Sequence, residues 1–128
     1  MIYLDTSVAL AHLLAEDKRP RAAFWNETLV ASRLLEYELW TRIHARGLGS
    51  TRGEAARALI GRLALLELAP PVLARALEPF PVPVRALDAL HLASIEWLRG
   101  QRQTVALASY DQRLLAAARA MKMPLAAI

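Results

Sequence analysis

Met1-Ile2-Tyr3-Leu4-Asp5-Thr6-Ser7 passes within seven residues from an apolar run to a carboxylate and two hydroxyls. Ile2, Tyr3 and Leu4 form a short apolar run that reads as a buried strand, and Asp5 closes it. Thr6 or Ser7 can cap a helix over about Val8 to Ala15, whose apolar character suggests burial against a sheet. A carboxylate is thereby expected at the C-terminal mouth of a strand, beside a helix start, which is the edge where open parallel sheets hold their ligands. Burying a charge there is costly unless it is compensated, and a divalent cation compensates it.

The same alternation continues along the chain. Pro20 suits the first turn of a helix ending near Thr28, and Leu29-Val30-Ala31 reads as a second strand. Ser32 caps a helix over Arg33 to Ala45, which Gly47 and Gly49 terminate. Thr51 and Glu54 form a capping box before a helix running to about Leu66, and Leu66 to Ala69 adds an edge segment. Pro70-Pro71 starts a short helix, and Pro79, Pro81 and Pro83 forbid regular structure beyond it. A helix from about Arg85 to Arg99 stops at Gly100, followed by a strand over Thr104 to Ala108 and a helix over Asp111 to Ala120. Leu125 to Ile128 is expected as a terminal strand. Helices alternating with near-continuous apolar strands predict an α/β fold, with a central, mainly parallel sheet covered on both faces. At 128 residues the chain is expected to be one domain, 1–128.

Composition narrows the function. A 55% hydrophobic content supplies a core, yet no stretch reaches transmembrane length without a charge or a break. The absence of cysteine excludes disulfides, thiolate metal sites and a cysteine nucleophile. Together with an N-terminus lacking signal-peptide features, it predicts a cytoplasmic protein with no membrane partner. The net charge of +4 comes almost wholly from arginine and is spread along the chain. It permits a nucleic-acid backbone as partner, although an ordinary solvated surface explains it equally well.

Three further acids stand out beside Asp5. Glu38 shares a helix face with Leu34, Leu35 and Arg42, whereas Glu36, two positions away, points substantially elsewhere. Periodicity alone leaves open which of the two is held against the core, and a surface ion pair between Glu38 and Arg42 is the plain alternative. Asp88 and His91 are i,i+3 neighbours beside a buried face marked by Leu87, Leu90, Ala93 and Ser94. A helix-start role is the commonest one for such an aspartate, and His91 has the pattern of a packed histidine bonded to backbone or carboxylate. Asp111, after Val105-Ala106-Leu107-Ala108-Ser109-Tyr110, repeats the grammar of Asp5: strand, small polar residue, carboxylate, helix. If the two strands are parallel neighbours, Asp5 and Asp111 share one sheet edge.

A cluster of Asp5, Glu38, Asp88 and Asp111 is an all-oxygen donor set, suited to Mg²⁺ or Mn²⁺ rather than to zinc. Such a site can hold a phosphodiester and orient a water, with Thr6 and Ser109 adding hydroxyl contacts. No Gly-rich phosphate loop, serine elbow or metal-spaced histidine pair is present, which argues against nucleotide switches, esterases and zinc hydrolases.

These motifs, in this order, resemble a PIN-domain ribonuclease, specifically the VapC-type toxin of a VapBC toxin–antitoxin pair. Ile2-Tyr3-Leu4-Asp5-Thr6-Ser7 resembles the first acidic motif and Ser32-Arg33-Leu34-Leu35-Glu36-Tyr37-Glu38-Leu39 the second, with the register favouring Glu38. Leu87-Asp88-Ala89-Leu90-His91-Leu92-Ala93 is similar to the third, and Ala108-Ser109-Tyr110-Asp111-Gln112-Arg113-Leu114 to the last, with Ser109 where threonine is common. The resemblance implies a three-layer α/β/α sandwich, a homodimer, and Mg²⁺- or Mn²⁺-dependent cleavage of RNA by an activated water. It also implies a small cognate antitoxin whose tail occupies the acidic groove. Two other classes compete with the toxin: a catalytically inactive PIN-like module that binds RNA or protein, and a phosphatase-like hydrolase using Asp5 as nucleophile. The latter lacks the expected second aspartate at position 7, where Ser7 stands.

Overall fold

A computed structural model describes residues 1–128. The chain alternates β1 (Ile2–Leu4), α1 (Thr6–Leu13), a 3₁₀ helix (Ala22–Asn26), β2 (Leu29–Ser32), α2 (Arg33–Ala45), α3 (Gly49–Gly61), β3 (Ala64–Leu66), α4 (Pro70–Ala76), α5 (Ala86–Gly100), β4 (Ala106–Ala108) and α6 (Gln112–Ala120). The strands form one sheet in the order β3-β2-β1-β4, and every pairing is parallel. Side chains alternate across it, as the two-residue strand period demands. Leu4, Leu29, Ala31 and Ala108 join Val8, Leu35, Leu39, Ile43 and Leu59 in a core on one face, beneath α1, α2 and α3. Tyr3, Val30 and Leu107 join Leu92, Ile95, Leu98 and Leu114 in a core on the other, beneath α5 and α6. The result is the predicted α/β sandwich with helices on both faces of a parallel sheet. No helix is long and apolar enough to cross a membrane.

Local signals account for most element ends. Ser32 caps α2 by accepting from the Leu34 N–H at 3.0 Å, and Asp111 caps α6 through the N–H groups of Arg113 and Leu114. Gly47, at φ +66°, closes α2 in a Schellman turn: its N–H reaches the His44 carbonyl and that of Leu48 the Ile43 carbonyl. The differences from expectation have physical causes. Asp5 itself, not Thr6 or Ser7, is the cap of α1. The turn at Gly47 makes Leu48 the first flanking residue of α3, so the Thr51–Glu54 box never forms, and the Thr51 hydroxyl instead donates to the Leu48 carbonyl at 3.4 Å. The helix expected after Pro20 shrinks to the 3₁₀ turn, because Thr28 must already pair with β1 through its carbonyl. The edge strand β3 arrives earlier than expected, after α3 stops at Gly61. The terminal strand reduces to one parallel bridge between Leu107 and Leu125. Leu87, expected on a buried face, is 47% exposed.

Candidate active site

From β1 the chain crosses to β2 on one side; after β3 it returns to β4 on the other, so the connections diverge between β1 and β4. Open parallel sheets form their ligand crevice at this kind of point, beyond the carboxyl ends of the strands. The register Leu4↔Ala108 brings Asp5 and Ser109 out side by side, and the Asp5 N–H bonds the Ala108 carbonyl at 3.0 Å.

Asp5 is buried, and its Oδ2 accepts from the hydroxyls of Ser7 at 2.6 Å and Ser109 at 2.8 Å. Those hydroxyls in turn accept from the backbone N–H groups of Tyr110 and Asp111, at 3.0 and 2.9 Å. Two short relays thus run from the β4–α6 connection to one carboxylate oxygen, each bond polarising the next. Glu38 reaches the crevice from α2, and its Oε1 accepts from the Thr6 hydroxyl at 2.7 Å and lies 2.8 Å from His91 Nε2. Burial disfavours its charge, but the bond and charge of His91, the Thr6 hydroxyl and Arg42 outweigh that and hold the carboxyl below its ordinary range. Glu36, by contrast, pairs with Arg33 at 3.4 Å. Glu38 and Arg42 form no ion pair.

His91, on α5, is 2% exposed, and its Nδ1 lies 2.8 Å from the fully buried Tyr3 hydroxyl. Burial opposes a charge on His91, yet the Glu38 bond and the charges of Asp5, Glu38 and Asp88 raise its pKa. Burial also pushes the Tyr3 phenol up, so it is neutral. Asp88, in the first turn of α5, is buried, with an Oδ2 that has no hydrogen-bond partner in the protein. Its pKa is raised by burial, then by the negative charges of Asp111 and Asp5. Asp111 is exposed and spends Oδ1 on capping α6.

Asp5, Glu38, Asp88 and Asp111 all line one cleft of about 670 Å³, together with Thr6, Ser7, His91 and the cations Lys18, Arg42 and Arg46. No group of three or more of the acidic or imidazole side chains is arranged to hold a single ion. One oxygen of each of Asp5, Glu38 and Asp111 is engaged by hydroxyls, an imidazole or backbone amides. The donor chemistry nonetheless fits a hard divalent cation. All the carboxylate donors are oxygen, and the orphaned buried Oδ2 of Asp88 among like charges is the kind of group a cation relieves. The sequence reads His91 as a packed histidine and Ser7 only as a cap. His91 carried a signal in its i,i+3 spacing from Asp88, whereas Tyr3 looks like any strand residue.

Comparison with known proteins agrees with this architecture. The model of the PIN domain family matches residues 2–120. The chain is 34% identical over 126 residues to "Ribonuclease VapC47" of Mycobacterium tuberculosis (strain CDC 1551 / Oshkosh), covering 93% of this chain and 90% of that protein. Among solved structures, one described as a toxin–antitoxin complex from Klebsiella pneumoniae superposes with a TM-score of 0.68 at 12% identity, over 94% of each chain. At that identity the likeness is one of fold.

Proposed function

The chain belongs to the PIN-domain family and is related to VapC-type toxins, and from that premise we propose that it is a Mg²⁺- or Mn²⁺-dependent endoribonuclease, the toxin of a toxin–antitoxin pair. The observation that carries this reading is the convergence of Asp5, Glu38, Asp88 and Asp111 on one cleft at the switch point of the sheet. These residues would hold the ion. Bound there, it supplies the positive charge that makes water a competent nucleophile toward an RNA phosphate and offsets charge on the departing 3′-oxygen. The Ser7 and Ser109 hydroxyls hold the Asp5 carboxylate in place, and the Thr6 hydroxyl holds that of Glu38. Asp88, buried in the first turn of α5 with an unpartnered oxygen, would be one of the ion's donors. Lys18, Arg42 and Arg46, lining the same cleft, bind the RNA backbone.

The test is cleavage of single-stranded RNA with Mn²⁺. Asp5→Asn and Glu38→Gln should each lower the rate by about a hundredfold or more while the domain stays folded. Glu36→Gln, which only breaks a surface pair, should leave it near the parent value. Comparable rates for the Glu36 and Glu38 variants would defeat the site assignment. A second reading, a catalytically inactive module binding RNA or protein through the same cleft, draws on the absence of a preformed ligating group. It predicts RNA binding with no cleavage and no Mn²⁺ uptake.

The same proposal makes the protein a homodimer neutralised by a small cognate antitoxin lying across the acidic cleft. Leu73 and Leu77, 43% and 87% exposed at successive turns of α4 and its end, supply apolar surface for an interface between copies. Light scattering should give a dimer mass, and the partner should add to it while suppressing cleavage. A persistent monomer would remove the dimer, and full cleavage with the partner demonstrably bound would remove the inhibition.

A further inference from the structure

The three-residue chain Tyr3–His91–Glu38 joins parts of the fold that are remote in sequence: β1, α5 on one face of the sheet and α2 on the other. We infer that His91 is the positioning residue for the Glu38 carboxylate and that Tyr3 is the buried anchor fixing the ring of His91; this rests on the metal-dependent nuclease proposed above. Both ring nitrogens are engaged at 2.8 Å, and the ring meets that of Tyr3 edge-on, with centroids 5.8 Å apart.

The hydrogen-bond logic at the Glu38 end has only one solution. An ionised carboxylate only accepts, so the proton on that side must sit on His91 Nε2, which donates to Oε1. Tyr3, kept neutral by burial, can serve either remaining case. It donates to Nδ1 when the imidazole is neutral and accepts from it when the imidazole is charged. The Nε2 donor therefore points at Glu38 in both states.

Glutamate on a helix reaches its target through a flexible stem, and a carboxylate that must meet a cation has to be held. His91 and Thr6 both bond to Oε1. No protein group donates to Oε2, which leaves that oxygen for a ligand in the cleft. At 2% exposure His91 offers the cleft almost no surface and both its nitrogens are engaged, so its action is through the carboxylate. Its Nε2 is also 3.9 Å from Asp5 Oδ1, so it spans the gap between two of the acids.

The experiment measures Mn²⁺ binding to the full chain without RNA, by the electron paramagnetic resonance signal of free Mn²⁺, beside RNA cleavage kinetics and thermal melts. His91→Leu removes the donor while keeping apolar bulk, and should weaken Mn²⁺ binding about tenfold to a hundredfold. It should lower kcat with little change in KM for RNA. His91→Asn places an amide near Nδ1 and should be as defective. His91→Gln places an amide near Nε2 and should recover much of the affinity. Tyr3→Phe, which leaves the ring in place, should give an intermediate loss with a folded melt. If the parent binds Mn²⁺ and all the folded variants bind it within about twofold of the parent, against the loss expected for an outer-shell partner, the positioning role is wrong while the nuclease reading stands. If Leu, Asn and Gln at position 91 are equally defective, His91 is a packing residue and the inference fails. A parent that takes up no Mn²⁺ overturns the nuclease reading, and this inference with it.

Discussion

Asp88 is the residue where electrostatics and function are most directly opposed. Its carboxyl is buried, faces the charges of Asp111 and Asp5, and leaves Oδ2 without a partner. Its proton is therefore held more tightly in the folded chain than in the unfolded one. The parent gains stability from this at low pH, below the unfolded aspartate value of about 3.9, and loses it as pH rises through the raised folded value. Asp88→Asn, always uncharged, is free of that loss. Without metal, the melting temperature of the variant relative to the parent should climb as pH is raised from 4 toward neutrality, and saturating Mn²⁺ should reverse the order by stabilising the parent alone. A variant less stable than the parent at neutral pH without metal would make Asp88 a structural anchor. A similar local comparison separates Glu36 from Glu38. The two are neighbours on α2, but Glu36 joins Arg33 in a partly exposed pair that solvent screens, whereas Glu38 is drawn into a network with His91 and Thr6.

At the scale of elements, two of the four acids sit where strands hand over to helices. Asp5 follows β1 and caps α1, Ser32 ends β2 and caps α2, and Asp111 follows β4 and caps α6. Helix N-termini favour negative charge, so the handovers that build the sheet edge also make carboxylates tolerable there. Glu38 depends on α2 keeping its length and direction, and the Schellman turn at Gly47 sets where that helix stops. An added Cβ at Gly47 would meet nothing within 4 Å, so Gly47→Ala isolates the backbone cost of φ +66°. It should destabilise by about 1–2 kcal/mol. Gly61→Ala, where an added Cβ also meets open space but φ is not positive, should instead stabilise by about 0.4–1 kcal/mol through the unfolded state. Urea midpoints for the pair decide the matter, and shifts of the same sign would contradict this account of the turn.

For the molecule as a whole, the balance of charge matters more than its size. The excess of +4 is modest, yet Lys18, Arg42 and Arg46 line the same cleft as the acids. That arrangement suits a polyanion whose phosphates meet cations beside an acidic centre. Arg46→Ala in the Asp5→Asn background should weaken binding of a fluorescent single-stranded RNA. It should also flatten the slope of log K against log salt by about 0.7, the value for neutralising one phosphate fewer on a single strand. An unchanged slope would place the RNA elsewhere on the surface.

The alternation of elements, the parallel sheet and the order of the four acids are readable along the chain, because apolar runs, caps and prolines act over a few residues. Ser32 and the Pro70-Pro71 start of α4 were legible for that reason. The Thr51–Glu54 box was equally local and still failed, since a turn four residues upstream had already committed Leu48 as the flanking residue of α3. Which acids share a cleft, and what holds them, follows from packing between distant segments. Leu87 lies exposed while its neighbour Asp88 is buried, and Glu38 rather than Glu36 reaches His91. The His91–Glu38 bond spans 53 residues of sequence and the Tyr3–His91 bond 88. Bonds of that range depend on how α2 and α5 are set against the two faces of the sheet, and no periodicity within either helix encodes that placement.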